Sequence, residues 1–173
     1  MIQTKPNFQT WFAGSKVNTT MGPLATYHGS AANIRKFRPM SHFGTYTAAT
    51  DRLTHLSNSD GNIICAYLRI TNPVIFTDKG WHHTPAAFLN DLAGSWKFYE
   101  QLEQLKINEQ TMDEKIASLS HRSFAPTIAM LSDIGFDGVV YRNLVEDPDS
   151  LSWCVFRGDQ VWQIDNQHFT RNL

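Results

Sequence analysis

Apolar residues change their spacing twice along this chain, and that narrows the folds open to it. Residues 84–134 place them at helical intervals, whereas residues 1–80 and 135–173 carry short β-type runs broken by Gly, Pro, Asn and Asp. Strands, then helices, then strands is the order of an α+β fold rather than a doubly wound sheet. With 173 residues the chain has the length of one domain, taken as 1–173, and can bury a core without staples.

Thr84-Pro85 supplies an N-cap and a first-turn proline, and Phe88, Leu89, Leu92, Trp96, Tyr99, Leu102 and Leu105 follow on one helical face, with a break expected at Gly94-Ser95. A second helix is expected over Thr111–Leu119, where Glu114 stands at capping-box spacing, and a third over Ser123–Ile134, closed by Gly135. Expected strands are Leu24–His28, Asn62–Thr71, Val74–Thr77, Gly138–Tyr141, Ser152–Phe156 and Gln160–Ile164. Gly44–Thr47 reads as β-type, Ala31–Phe37 as a short helix, and Asn7–Phe12 as one helical turn.

Fifteen Lys and Arg oppose sixteen Asp and Glu, so bulk charge does not drive binding to nucleic acid or an anionic membrane. Cys65 and Cys154 lie inside apolar runs and read as small core residues, not a disulfide framework. No run of 18 apolar residues is present and residues 1–7 lack the apolar core of a signal peptide. The expected location is cytoplasmic, with delivery into a target cell by a route needing no such leader left open, and no membrane partner is expected.

Several chemically capable residues carry no pattern. His82 and His83 are adjacent, which puts them on opposite faces of a strand; His55, His121 and His168 stand alone; Glu146, Asp147 and Asp149 share a loop without calcium-loop spacing. No metal is expected. Walker A and dinucleotide glycine patterns are missing, and Ser30 is not in a nucleophile elbow.

Tyr27-His28-Gly29-Ser30 is more informative. A histidine at a strand end can donate to or accept from a hydroxyl, and the glycine leaves its backbone open to close approach. Further on, Phe43-Gly44-Thr45-Tyr46-Thr47-Ala48 again sets glycine beside an aromatic. A planar ligand stacked on Tyr46, with Gly29 bonding an amide, would suit this pair.

These segments resemble the His-Tyr-Glu branch of the ADP-ribosyltransferase superfamily, the branch of diphtheria toxin and poly(ADP-ribose) polymerase. Tyr27–Ser30 is similar to its histidine-glycine strand, Gly44–Ala48 to its glycine-x-tyrosine strand, and Ser152–Val161 to its last motif strand. Phe8, Trp11, Phe12, Gly22-Pro23 and Gly135–Val140 resemble compact members from polyvalent proteins of phages and mobile elements, a toxin- or effector-like setting. The likeness covers the two ends of the chain.

The resemblance implies a fold of split antiparallel sheets with a helical insertion, and NAD as cosubstrate. His28 would bond the adenine-side ribose, Gly29 the nicotinamide carboxamide, and Tyr46 the nicotinamide ring, with Ser30 near the ribose and Gly44 in the second strand. It implies mono-ADP-ribosyl transfer to a macromolecular acceptor, with balanced charge favouring protein and nucleic acid left open. An NAD glycohydrolase and a silent NAD-binding or protein-interaction module are the alternatives.

One position departs from the pattern. Ser152 stands where the branch has its catalytic glutamate. Three explanations compete: Glu146 or Asp149 supplies the carboxylate from the preceding loop; transfer is slow or needs no base; or the protein only binds NAD or ADP-ribose.

Overall fold

The computed structural model describes residues 7–56, 60–77 and 84–169. In chain order the elements are α1 (Phe8–Phe12), β1 (Asn18–Thr19), β2 (Gly22–Pro23), β3 (Thr26–Ser30), β4 (Ser41–Phe43), α2 (Tyr46–Leu56), β5 (Gly61–Leu68), β6 (Pro73–Thr77), α3 (Pro85–Ala93), α4 (Trp96–Gln104), α5 (Glu109–Ala117), α6 (Ala125–Asp133), β7 (Gly138–Arg142), β8 (Leu151–Val155) and β9 (Val161–Phe169). This is the α+β architecture that the changes of spacing implied. No described helix is long and apolar enough to cross a membrane.

Two sheets carry the fold. One is antiparallel in the order β3-β5-β9; the other runs β4-β8-β7-β6. An isolated rung links them: Tyr27 N–H donates to the Gly44 carbonyl and Gly44 N–H to that of Tyr27, both at 2.9 Å. The second sheet departs from the purely antiparallel expectation, because β6 and β7 are parallel. Parallel neighbours need a long crossover, and the segment holding α3 to α6 supplies it.

Burial explains the layers. Ile64, Ala66 and Leu68 of β5 face Phe43, Val140, Trp153 and Val155 between the sheets. On the other face of the second sheet, Val74, Val139, Tyr141 and Cys154 meet Phe88, Leu92, Phe98, Leu102 and Leu131 of the helices. Each fully buried Leu, Ile or Phe contributes about 1.5–3 kcal/mol relative to exposure. Gln160 ties the layers at one end. Its Oε1 accepts from the N–H groups of Phe156 (3.0 Å) and Arg157 (2.8 Å), and its Nε2 donates to the carbonyls of Arg69 (3.0 Å) and Asp137 (2.6 Å). A buried amide with all four bonds made is the low-energy way to keep polar atoms away from water.

Several local expectations change. Gly44–Thr47 is not a strand: the Thr45 hydroxyl accepts from Ala48 N–H and its carbonyl from Ala49 N–H, both at 3.1 Å. That cap starts α2 at Tyr46 and overrides the β preference of Thr and Tyr. Residues 31–37 are not helical; Phe37 is drawn into the core, its ring 5.0 Å from Phe43 and 5.5 Å from His28. The long strand stops at Leu68, short of Thr71. Helix α5 begins at Glu109, because Asn108 Oδ1 accepts from Thr111 N–H at 2.9 Å and takes the capping role. The break between α3 and α4 and the stop at Gly135 (φ +95°) occur where expected. Cys154 is core, but Cys65 is only partly buried; its thiol bonds Tyr27, and burial pushes its pKa up. His82 and His83 lie outside the described residues, and His168 sits 3.6 Å from Asp60 on the surface.

Candidate active site

Past the Tyr27–Gly44 rung the strands β3 and β4 part, and a cleft of about 310 Å³ opens between them. β3 contributes His28, Gly29 and Ser30; β4 and its end contribute His42, Phe43 and Gly44; α2 contributes Ala48, Ala49 and Arg52. Tyr141, Asn143, Glu146 and Ser152 come from β7, the following loop and β8. Residues over a hundred positions apart in sequence thus share one cleft.

His28 is fixed by one bond. Its Nδ1 lies 2.6 Å from the His42 carbonyl. A carbonyl only accepts, so Nδ1 carries the hydrogen, and in the neutral ring Nε2 is an acceptor. Burial lowers the His28 pKa below 6.5; the His42 bond opposes this and the Arg52 charge adds to it. The unfolded histidine takes up its proton first as pH falls, so the stability present above pH 6.5 declines through the lower folded value. Urea unfolding between pH 7 and 5 is expected to show this slope in the wild type and less of it in His28→Gln; parallel curves would refute it.

Gly29 serves the cleft through its backbone. Alternate strand residues turn N–H and C=O to opposite edges. Tyr27 uses its edge for Gly44, so Gly29 presents its own groups to that same side. A Cβ there would sit 2.2 Å from the Ala49 carbonyl oxygen, so close approach of α2 by itself requires glycine. At Gly44 a Cβ would meet Ser152 Oγ at 2.9 Å.

Tyr46 occupies the first turn of α2, 49% exposed, and is not among the residues lining the cleft. Its ring stands edge-on to Tyr27 at 5.5 Å, and Tyr27 does line the cleft.

Ser152 is buried, and Asn143 Nδ2 donates to its Oγ at 3.1 Å. The same Asn143 turns its Oδ1 to the loop, accepting from Val145 N–H (3.0 Å) and Glu146 N–H (3.1 Å). Its own N–H and carbonyl bond Ser150 (2.8 Å) and Asp149 (2.9 Å). One buried side chain therefore joins the Ser152 position to the loop and holds Glu146 in the cleft. Glu146 Oε1 lies 3.6 Å from Arg52 Nη1. The Asp147 carboxylate accepts from the Thr45 hydroxyl, tying the loop to the start of α2. Asp149 is not among the lining residues.

A family model described as ADP-ribosyltransferase in polyvalent proteins matches residues 20–171. The chain belongs to that family. It is therefore an ADP-ribosyltransferase-type domain of α+β fold, a class of transferase that uses NAD as substrate. No curated protein and no solved structure gives a significant match.

Reading this ADP-ribosyltransferase from sequence brings out His28, Gly29, Ser30, Gly44, Glu146 and Ser152, which the structure gathers in one cleft. It misses Arg52, Asn143, His42 and Tyr141. Arg52 had a usable signal: once Thr45 is taken as a cap, Ala48, Ala49 and Arg52 fall on one helical face. Asn143 after a strand reads as an ordinary turn residue, and nothing local marks its reach to Ser152. His42 and Tyr141 meet through a 2.9 Å Nδ1–hydroxyl bond that only the β4–β8–β7 order creates.

Proposed function

We propose that this protein is a mono-ADP-ribosyltransferase that breaks the bond between nicotinamide and ribose in NAD and passes ADP-ribose to a macromolecular acceptor. The supporting observation is the shared cleft of the His28–Gly29 strand and a loop carboxylate, Glu146, delivered by Asn143 beside Ser152. In this reading Glu146 takes the place of the missing strand glutamate, and Ser152 anchors Asn143.

The roles follow from the groups. His28 Nε2 accepts a ribose hydroxyl on the adenine side. The Gly29 peptide edge pairs with the carboxamide, as a strand pairs with an amide. Tyr27, with Tyr46 edge-on behind it, offers the aromatic wall for the nicotinamide ring, while Ser30 and Gly44 shape the floor. The bond from C1′ to the pyridinium nitrogen breaks heterolytically; its electron pair leaves with neutral nicotinamide, and positive charge spreads over C1′ and the ring oxygen. Glu146 stabilises that charge and orients the ribose hydroxyl. An acceptor lone pair then bonds C1′ and the acceptor loses its proton to the carboxylate or to water. Leu144 and Val145, next to Glu146 in the loop, and Leu151 at the start of β8 stand exposed, apolar surface that suits a protein acceptor.

Nicotinamide release from labelled NAD tests the reading. His28→Ala is expected to lower kcat/KM by about threefold to tenfold, the scale of one neutral hydrogen bond, and Tyr46→Ala by less. Label transferred to a protein supports transfer; free ADP-ribose with no modified acceptor identifies a glycohydrolase; no nicotinamide release overturns the enzymatic reading.

A further inference from the structure

The charge pair in the cleft is a loose one. Arg52 Nη1 and Glu146 Oε1 are 3.6 Å apart, beyond the length of an N–H···O bond. The two come from unrelated elements, α2 and the Asn143 loop. The Glu146 backbone is fixed by Asn143, whereas Arg52 reaches from a helix and keeps 37% of its side chain exposed, against 16% for Glu146. Arg52 is the only lysine or arginine among the described residues lining the cleft. A guanidinium has five donors in a planar fork, suited to phosphate oxygens, and this contact engages it loosely.

The diphosphate of a dinucleotide entering the cleft brings two negative charges, and Arg52 is the cation placed to meet them. We propose that Arg52 is the diphosphate-recognising side chain of this cleft and that its contact with Glu146 is an exchangeable latch, broken when a diphosphate takes the guanidinium and leaves the carboxylate to the ribose. The latch rests on the functional reading above, but the anion site does not. In the empty cleft Arg52 neutralises a carboxylate that would otherwise face other acceptors alone. In the filled cleft the phosphates replace Glu146 at the guanidinium, so a substrate with a diphosphate sets up the carboxylate and one without it does not.

This arrangement makes binding and turnover respond in opposite senses at one position. Glu146→Gln removes the competitor for Arg52, so ADP and inorganic pyrophosphate are expected to bind about three- to tenfold more tightly while nicotinamide release falls. Arg52→Gln is expected to weaken both probes by about tenfold or more, the scale of a charge-assisted contact. It should raise the KM for NAD more than it lowers kcat, and leave the KM for nicotinamide riboside, which lacks the diphosphate, little changed. Arg52→Lys, which keeps the charge but not the fork, should fall between. Affinities come from calorimetry on the full chain, with circular dichroism to verify that each variant is folded.

Unchanged ADP and pyrophosphate binding in Arg52→Gln overturns the anion site. Glu146→Gln that binds these probes no more tightly than the wild type overturns the latch. Arg52-dependent pyrophosphate binding with no nicotinamide release from NAD would leave the anion site standing and remove the transferase reading. Release that is indifferent to position 52 would do the reverse.

Discussion

Glu146→Gln is expected to lower kcat for nicotinamide release by about a hundredfold to a thousandfold with the fold intact. Two unit charges about 4 Å apart at an effective dielectric of about 20 attract by about 4 kcal/mol, and a neutral amide forfeits most of that. The attraction grows as positive charge moves from the pyridinium nitrogen onto C1′ and the ring oxygen, so the loss falls mainly on kcat. Glutamine keeps the length of the side chain, and the backbone bonds from Asn143 do not involve the carboxylate, so loop geometry should survive. Ser152→Ala removes a hydroxyl that bonds Asn143, and should cost much less, about tenfold. Single-turnover release for the two variants decides the matter. Should Ser152→Ala prove the more damaging, the active carboxylate is not Glu146 and the strand position acts directly.

The largest stability effect is expected at Gly29. In Gly29→Ala the new methyl would lie 2.2 Å from the Ala49 carbonyl oxygen and 3.1 Å from Leu53 Cγ. The nearer atom is backbone, so no rotamer change relieves the clash, and α2 must move off β3. Overpacking of side chains costs about 1–3 kcal/mol; displacing a helix against a strand should cost about 3 kcal/mol or more. Moving α2 also shifts Ala49 and Arg52, so ligand affinity falls even in the molecules that stay folded. Ala49→Gly should not rescue the variant, because it removes no atom of that carbonyl. Urea midpoints read this directly, and a loss under about 0.5 kcal/mol would show that the helix and strand are not in hard contact.

Sequence reasoning reached some parts of this molecule and not others for definite physical reasons. The helical middle was legible because a face of Phe88, Leu92 and Leu102 repeats at a local period, and Gly135 marks its stop through a backbone angle few other residues adopt. His28-Gly29 was legible because a histidine followed by glycine is unusual in a strand, although the strand runs on to Ser30 and sets His28 at its centre rather than at its end. Thr45, Tyr46 and Thr47 all favour a strand; the hydrogen bonds of the Thr45 cap carry the opposite instruction and outweigh that preference. Arg52 reads as a solvated helix charge until its face is known to be turned to β3. The parallel pairing of β6 with β7, and the reach of Asn143 to Ser152, depend on which strands become neighbours. Alternation along a strand says which face is buried but not which strand lies alongside.

Gln160 fastens the Leu68 end of β5 to the Val155 end of β8 through its bonds to Arg69 and Phe156. Met40 and Ser41 of the cleft wall are seated on that same Val155. The wall and the Gln160 anchor therefore share one footing, and a substitution at position 160 reaches a guest it never touches.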